Sequence, residues 1–203
     1  EGYKKAIPLF EKAIENDPEF ALAFANLSIS YYYLDIYQKQ KKYMQQINNY
    51  ADKALLYDSK SDVSLIAKAL YYMYNEEYRL AVPHLEKALE MGFQEAEFFL
   101  FDVYLLQRTS ESLFKGCALA KKMADNGNNW SMYKYSIFLI NGCGCEKDEP
   151  KALIYLRNLA DKGFSAAKAL LVEKYGYQDK SVKFVESLDH VDEDTEVDLT
   201  QEE

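Results

Sequence analysis

A chain of 203 residues with 49% hydrophobic residues has ample material for a continuous core, and that composition excludes a disordered protein. The formal charge of −9 is concentrated in Asp189–Glu203, which holds eight of the 33 acids and no Lys or Arg, leaving 24 basic against 25 acidic groups elsewhere. A nearly neutral body argues against nucleic-acid binding, which needs a surplus of Lys and Arg, and Lys68 and Asp102 interrupt the best apolar runs before they reach the roughly 18 residues that span a bilayer.

From Gly2 to Asn16, the residues Ala6, Leu9, Phe10, Ala13 and Ile14 recur at three- and four-residue steps and predict a helix with one apolar face, ended by Asp17-Pro18. Pro8 is expected near the first turn, where a missing N–H matters least, with Pro83 in the matching place of a later copy. A second helix is predicted from Pro18 to about Tyr37, packing through Leu22, Phe24, Leu27 and Tyr31, with small Ala21, Ala25 and Ser28 allowing close approach of a neighbour. Gln38–Gln46 is polar and reads as an extension of the hairpin. Ile47, Ala51, Ala54 and Leu55 carry a third helix to about Tyr57, and Asp58-Ser59-Lys60-Ser61-Asp62 is a turn that supplies an N-cap.

The stretch Tyr78–Ala96 reappears in outline on both sides. Tyr3, Ala6, Pro8, Phe10, Glu11, Lys12 and Ala13 echo it upstream. Its closing Gly92-x-x-x-Ala96 returns as Gly127-x-x-x-Ser131 and Gly163-x-x-x-Ala167, at spacings of 35 and 36 residues. A period of that length marks stacked helical hairpins. The residues resemble the tetratricopeptide family. Ala6, Phe10, Ala13 and Pro18 match its second-helix set, and Phe24, Leu27, Ser28 and Tyr31 match the first-helix set of the next unit. Leu65, Ala69 and Tyr72 match again, with Lys68 where Leu is usual, and Ala81, Leu85 and Ala88 complete that unit. Ala54 to Ala88 is 34 residues, the family period, but Ala13 to Ala54 is 41, so about seven extra residues are placed near 38–46.

From Glu97 the pattern changes. Phe98 to Leu106 is apolar on almost every side, the mark of a helix central to its array. Leu113 to Asp125 is another helix, with Ala118, Leu119 and Met123 at helical spacing. Ser131, Tyr135, Ser136, Leu139, Gly142, Gly144, Cys145, Asp148, Lys151, Ala152 and Gly163 resemble a Sel-one-like repeat, a relative of the tetratricopeptide unit. Ser136, Leu139 and Cys145 depart from its Gly, Tyr and Val. Its glycines suit a tight loop needing positive φ, and Asp148 is placed to cap the next helix with Pro150 in the first turn. A further helix is predicted over Phe164–Tyr175, a short capping helix over Asp179–Leu188 and a mobile acidic tail over Asp189–Glu203. Glu1 opens the chain inside a repeat, as a piece of a longer polypeptide would.

The expected fold is therefore all-α, a solenoid of antiparallel helix hairpins. Tetratricopeptide-like repeats cover 1–95, the first truncated, and Sel-one-like repeats with the capping helix cover 96–188. The family resemblance implies a right-handed superhelix.

Catalytic groups are sparse. The only histidines are His84, on a second helix, and His190, in the tail. Cys117, Cys143 and Cys145 are too few for a disulfide-stapled module and leave the compartment open; Glu146 and Asp148 oppose thiolate formation. The reading is of no enzyme, no cofactor and no metal. The resemblance implies instead that first helices line a concave surface, where Leu22, Asn26, Ile29, Tyr32 and Tyr33 would face Val63, Ile66, Leu70, Met73 and Tyr74. Tyrosines and a flexible Met suit an interface, although Tyr stripes at helical spacing are as often core. The function expected is a protein or peptide scaffold; the alternative is a regulatory or self-association segment of a larger signalling protein. On that view Tyr33 and Tyr74 are the residues whose replacement by Ala weakens partner capture.

Overall fold

Ten α-helices and no strand make up the described residues: α1 (Gly2–Asn16), α2 (Ala21–Asp35), α3 (Met44–Tyr57), α4 (Asp62–Tyr74), α5 (Tyr78–Glu90), α6 (Ala96–Gln107), α7 (Ser110–Asp125), α8 (Asn129–Asn141), α9 (Glu149–Asp161) and α10 (Ser165–Tyr175). The computed structural model describes residues 2–177; the capping helix at 179–188, the acidic tail at 189–203 and His190 lie outside the described residues. Each helix packs on its neighbours in sequence, and α4 also packs on α2. An all-α solenoid is built in this way, because a hairpin too small to cover its own apolar face covers it with the next.

Polar side chains set the starts of four helices. Ser61 Oγ accepts from Ser64 N (3.3 Å), Asn128 Oδ1 from Ser131 N (2.9 Å) and Asp148 Oδ1 from Lys151 N (3.0 Å), with Pro150 in the first turn. Thr109 and Ser112 form a reciprocal capping box. That box starts α7 at Ser110, three residues before the first apolar residue from which periodicity predicts it. Likewise α2 begins at Ala21 rather than Pro18, because Asp17 turns the chain by accepting from Glu19 N and Phe20 N. Pro8 and Pro83 stand in the second turn of α1 and α5 rather than the first. Both lie on the exposed side, so the carbonyl each leaves unpaired can be hydrated.

Four helix ends share one corner. After α5, α7 and α9, Gly92, Gly127 and Gly163 adopt φ of 98°, 85° and 84°, and the next N–H reaches back to Ala88, Met123 and Leu159. The end of α4 has the same bonds, with Glu76 N donating to Met73 O and Glu77 N to Tyr72 O, yet the left-handed position is held by Glu76 at φ 61°.

The core runs along the chain as three clusters. Phe24, Ala25, Ala51, Ala54 and Ala67 form the first. Leu65, Leu70, Leu85 and Val103 lie in the second, and Phe101, Phe138, Leu156 and Leu171 in the third. Helix α6 supplies both of the last two, which explains its apolar circumference.

Lys68, the departure from the tetratricopeptide pattern, is buried between α3 and α4. Its ammonium donates to Asn48 Oδ1 (2.8 Å) and Asp52 Oδ1 (2.6 Å) and lies 4.7 Å and 5.0 Å from the Tyr71 and Tyr72 ring centres. Asp52 is half open to water, so the pair is partly screened. Asp52→Ala is expected to cost about 1 kcal/mol, shrinking in high salt, while Lys68→Leu is near neutral because a well-packed apolar residue can replace a buried ion. Urea midpoints at two salt concentrations check both; a large loss in Lys68→Leu would make the ammonium indispensable to the α3–α4 contact.

Candidate functional site

At the end of α2 the chain leaves the array through residues 36–43 before α3 begins. Asp35 holds that excursion in place. Its carboxylate is fully buried, and Oδ2 accepts from Lys42 N (2.7 Å), Tyr43 N (2.8 Å) and the Tyr74 hydroxyl, while Oδ1 accepts no hydrogen bond among the described residues. Burial alone would raise the Asp35 carboxyl, but the Tyr43 N–H, the Tyr74 hydroxyl and the Lys42 N–H together hold it below its ordinary value. Burial, then the hydrogen bond to Asp35, raises the Tyr74 phenol. From the same loop, Lys41 Nζ donates to Tyr74 O (2.7 Å) and lies 4.4 Å from the Tyr74 ring centre.

Beside this latch is a cleft of about 450 Å³. Helix α2 gives it Tyr32 and Ile36 follows, the loop gives Lys41, and α4 gives Met73 and Tyr74. Glu76 and Tyr78 form the corner into α5, and α6 contributes Asp102, Leu105 and Leu106 from the far side. The cleft opens here because α2 and α4 pack together, whereas α4 and α6 meet far less closely. The Tyr32 and Tyr74 rings are 6.2 Å apart, edge to face. Burial raises the Tyr32 phenol, helped by Tyr33, Tyr37, Asp102 and Tyr78. Burial also raises the Asp102 carboxyl, opposed by Lys134.

Of the ten residues placed on the inner surface by sequence, three meet at this cleft: Tyr32, Met73 and Tyr74. The others are dispersed. Leu22 is exposed, and Asn26 turns its amide back to Leu22 O (2.8 Å). Ile29 and Val63 are half-buried against the core, and Tyr33 stacks on Tyr3 with ring centres 4.9 Å apart. Ile66 and Leu70 are 4% and 1% exposed and belong to the core, so a partner cannot reach them. Tyr32 and Tyr74 are only 5% and 3% exposed and offer a partner little surface. Tyr74→Ala is therefore no probe of surface binding, since it would also leave Asp35 without a donor.

Sequence reasoning missed Ile36, Lys41, Glu76, Tyr78 and the latch at Asp35. One signal was present: Asp102 is the single acid between Phe98 and Leu106, and a charge in an otherwise apolar helix deserves a location.

The groups weighed for catalysis are placed otherwise. His84 Nδ1 lies 3.0 Å from Leu80 O, and its ring centre is 5.4 Å from that of Tyr72. Burial lowers its pKa, opposed by that carbonyl and aided by Lys68 and Lys87; the neighbours are cations, not the carboxylates acid-base work would want. Cys117 is buried and, with the Cys145 thiol against it, is pushed up to about 12, which keeps it protonated and unreactive. Among the described residues no three His, Cys, Asp or Glu side chains converge as a metal site, and no helix is long and apolar enough to cross a membrane. Neither a protein-family model nor a curated protein matches the chain.

Proposed function

We propose that the chain is a non-catalytic interaction module that binds a peptide or protein segment, with the cleft between α2, α4 and α6 as the docking point. One observation carries this reading: apolar and aromatic side chains, Ile36, Met73, Leu106 and Tyr78, line a concavity between the first helices. Tyr serves as an interface anchor with apolar area and a polar tip, and Met adapts its shape to what is bound. The repeat resemblance supports the same class of work.

A displayed library of random peptides selected on the full chain tests this. Ile36 and Leu106 are 36% and 45% exposed, so Ile36→Ser with Leu106→Ser leaves the core untouched. The selected peptides are expected to lose affinity about tenfold or more in this variant, as anchor truncations do. Peptides that bind both forms equally would move docking to another surface. Light scattering at several concentrations distinguishes capture of a peptide from contact between copies.

A further inference from the structure

We infer that Cys117 and Cys145 close into a disulfide on oxidation, a redox-operated clamp that fastens the α8–α9 loop onto α7. The fold brings the two residues together although 28 positions separate them in sequence. The loop is tied at one end by Gly142 N and Cys143 N, which donate to Phe138 O (2.8 and 3.3 Å), and at the other by Asp148 N, which donates to Leu139 O (2.9 Å). Between these ties Gly144 presses on α7 so closely that an added Cβ would overlap Leu113 O, the carbonyl that the helical ladder pairs with the N–H of Cys117. Cys145, the next residue, packs on the third core cluster, to which Cys117 belongs, with its thiol against that of Cys117. Both thiols also act on the Tyr135 phenol, so the two sulfurs share one small space. A disulfide needs such an approach, since cysteines whose Cα atoms stand more than about 7 Å apart are not bridged without backbone movement. The pair is no metal site, because among the described residues no third His, Cys, Asp or Glu joins it and a tetrahedral site needs more ligands.

The oxidant is a small external disulfide, R–S–S–R, and exposure sets the order of events: Cys145 is partly exposed and Cys117 is buried. The Cys145 thiolate attacks one sulfur of the oxidant, forming Cys145–S–S–R and releasing RS⁻. Cys117 then gives up its proton and attacks the Cys145 sulfur, which closes the bond within the chain and expels the second RS⁻. The two protons from the thiols end on the two RS⁻ groups, so the chain loses two electrons and R–S–S–R gains them. In the reduced protein Cys117 is inert because burial and the neighbouring Cys145 both hold its proton on. Once Cys145 is bound to R its thiolate is gone, and of those two influences only burial still opposes the second step.

Incubation of the folded full chain, carrying Cys143→Ser, with oxidised glutathione tests the clamp; the substitution is needed because Cys143 and Cys145 lie in one tryptic peptide, 135–147. Two thiols per chain are expected to disappear, mass spectrometry should show peptide 116–121 linked to 135–147, and the melting temperature should rise by about 8 °C and fall back with dithiothreitol. Cys143→Ser with Cys145→Ser should keep one melting temperature throughout; a rise there would overturn the inference. Glutathione that stays on Cys145 while Cys117 remains free would overturn it as well, and so would two thiols that both stay reduced. A bridge that forms but leaves the melting temperature unchanged or lower would do the same, since the sulfurs would then meet only in an opened loop.

Discussion

Gly144→Ala is expected to lower the free energy of unfolding by about 4 kcal/mol or more, enough to remove much of a domain's usual margin. Two separate demands meet at this residue. Its φ of 70° lies in the left-handed region, which costs a side-chain-bearing residue about 1–2 kcal/mol. In addition, an added Cβ would stand 2.2 Å from Leu113 O, 2.4 Å from Leu113 C and 2.8 Å from Phe114 N. These are backbone atoms of α7, so no rotamer change can relieve the overlap; the loop between α8 and α9 must lift away. Lifting it also withdraws Cys145 from the third core cluster. Gly127→Ala and Gly163→Ala are the internal controls. Each has a positive φ but nothing within 4 Å of the added Cβ, so each should cost only about 1–2 kcal/mol. Urea unfolding followed by circular dichroism measures all three, and equal losses would show that the loop is not pressed against α7.

The second large effect belongs to Asp35. Asp35→Ala should destabilise the fold by about 3 kcal/mol, because it strands the Lys42 and Tyr43 N–H groups and the Tyr74 hydroxyl near a buried site. The effect also has a pH signature. Since the folded state holds this carboxyl below its ordinary value of 3.8, the ionised form is the one the fold favours. Its contribution is complete above about pH 4 to 5 and is lost as the pH falls through the folded value. Asp35→Asn should therefore be less stable than the parent at neutral pH and show a shallower acid limb. Unfolding midpoints between pH 2 and 7 check this; parallel curves for the two proteins would remove Asp35 from the acid response.

The stacked architecture was legible in the sequence because its corners make a chemical demand. Gly92, Gly127 and Gly163 recur at intervals of 35 and 36 residues because each closes a helix with a left-handed residue. Ser61 and Asp148 were readable as helix starts for a similarly local reason. The inner surface was not legible. Helix α2 is apolar nearly all round, packing on α1, α3 and α4, so three-residue spacing could not say which of Ile29, Tyr32 and Tyr33 faced outward. On α4, Ile66 and Leu70 are drawn into the core by contact with three other helices, a consequence of which helices meet rather than of any one helix's pattern. The latch joins Asp35 to Tyr74 across 39 residues of sequence, a pairing that no local signal encodes.

Helix α6 has a consequence for how the molecule comes apart. Leu100, Val103 and Tyr104 belong to one cluster and Phe101 to the next, so the same short segment is shared property of both halves. A polypeptide severed just ahead of it, between residues 95 and 96, would bare a greasy flank on the leading piece and leave the trailing piece carrying another. The stretch around residues 95 and 96 is therefore no joint, because α6, with Leu119 of α7 beside it, ties the second and third clusters of the core together.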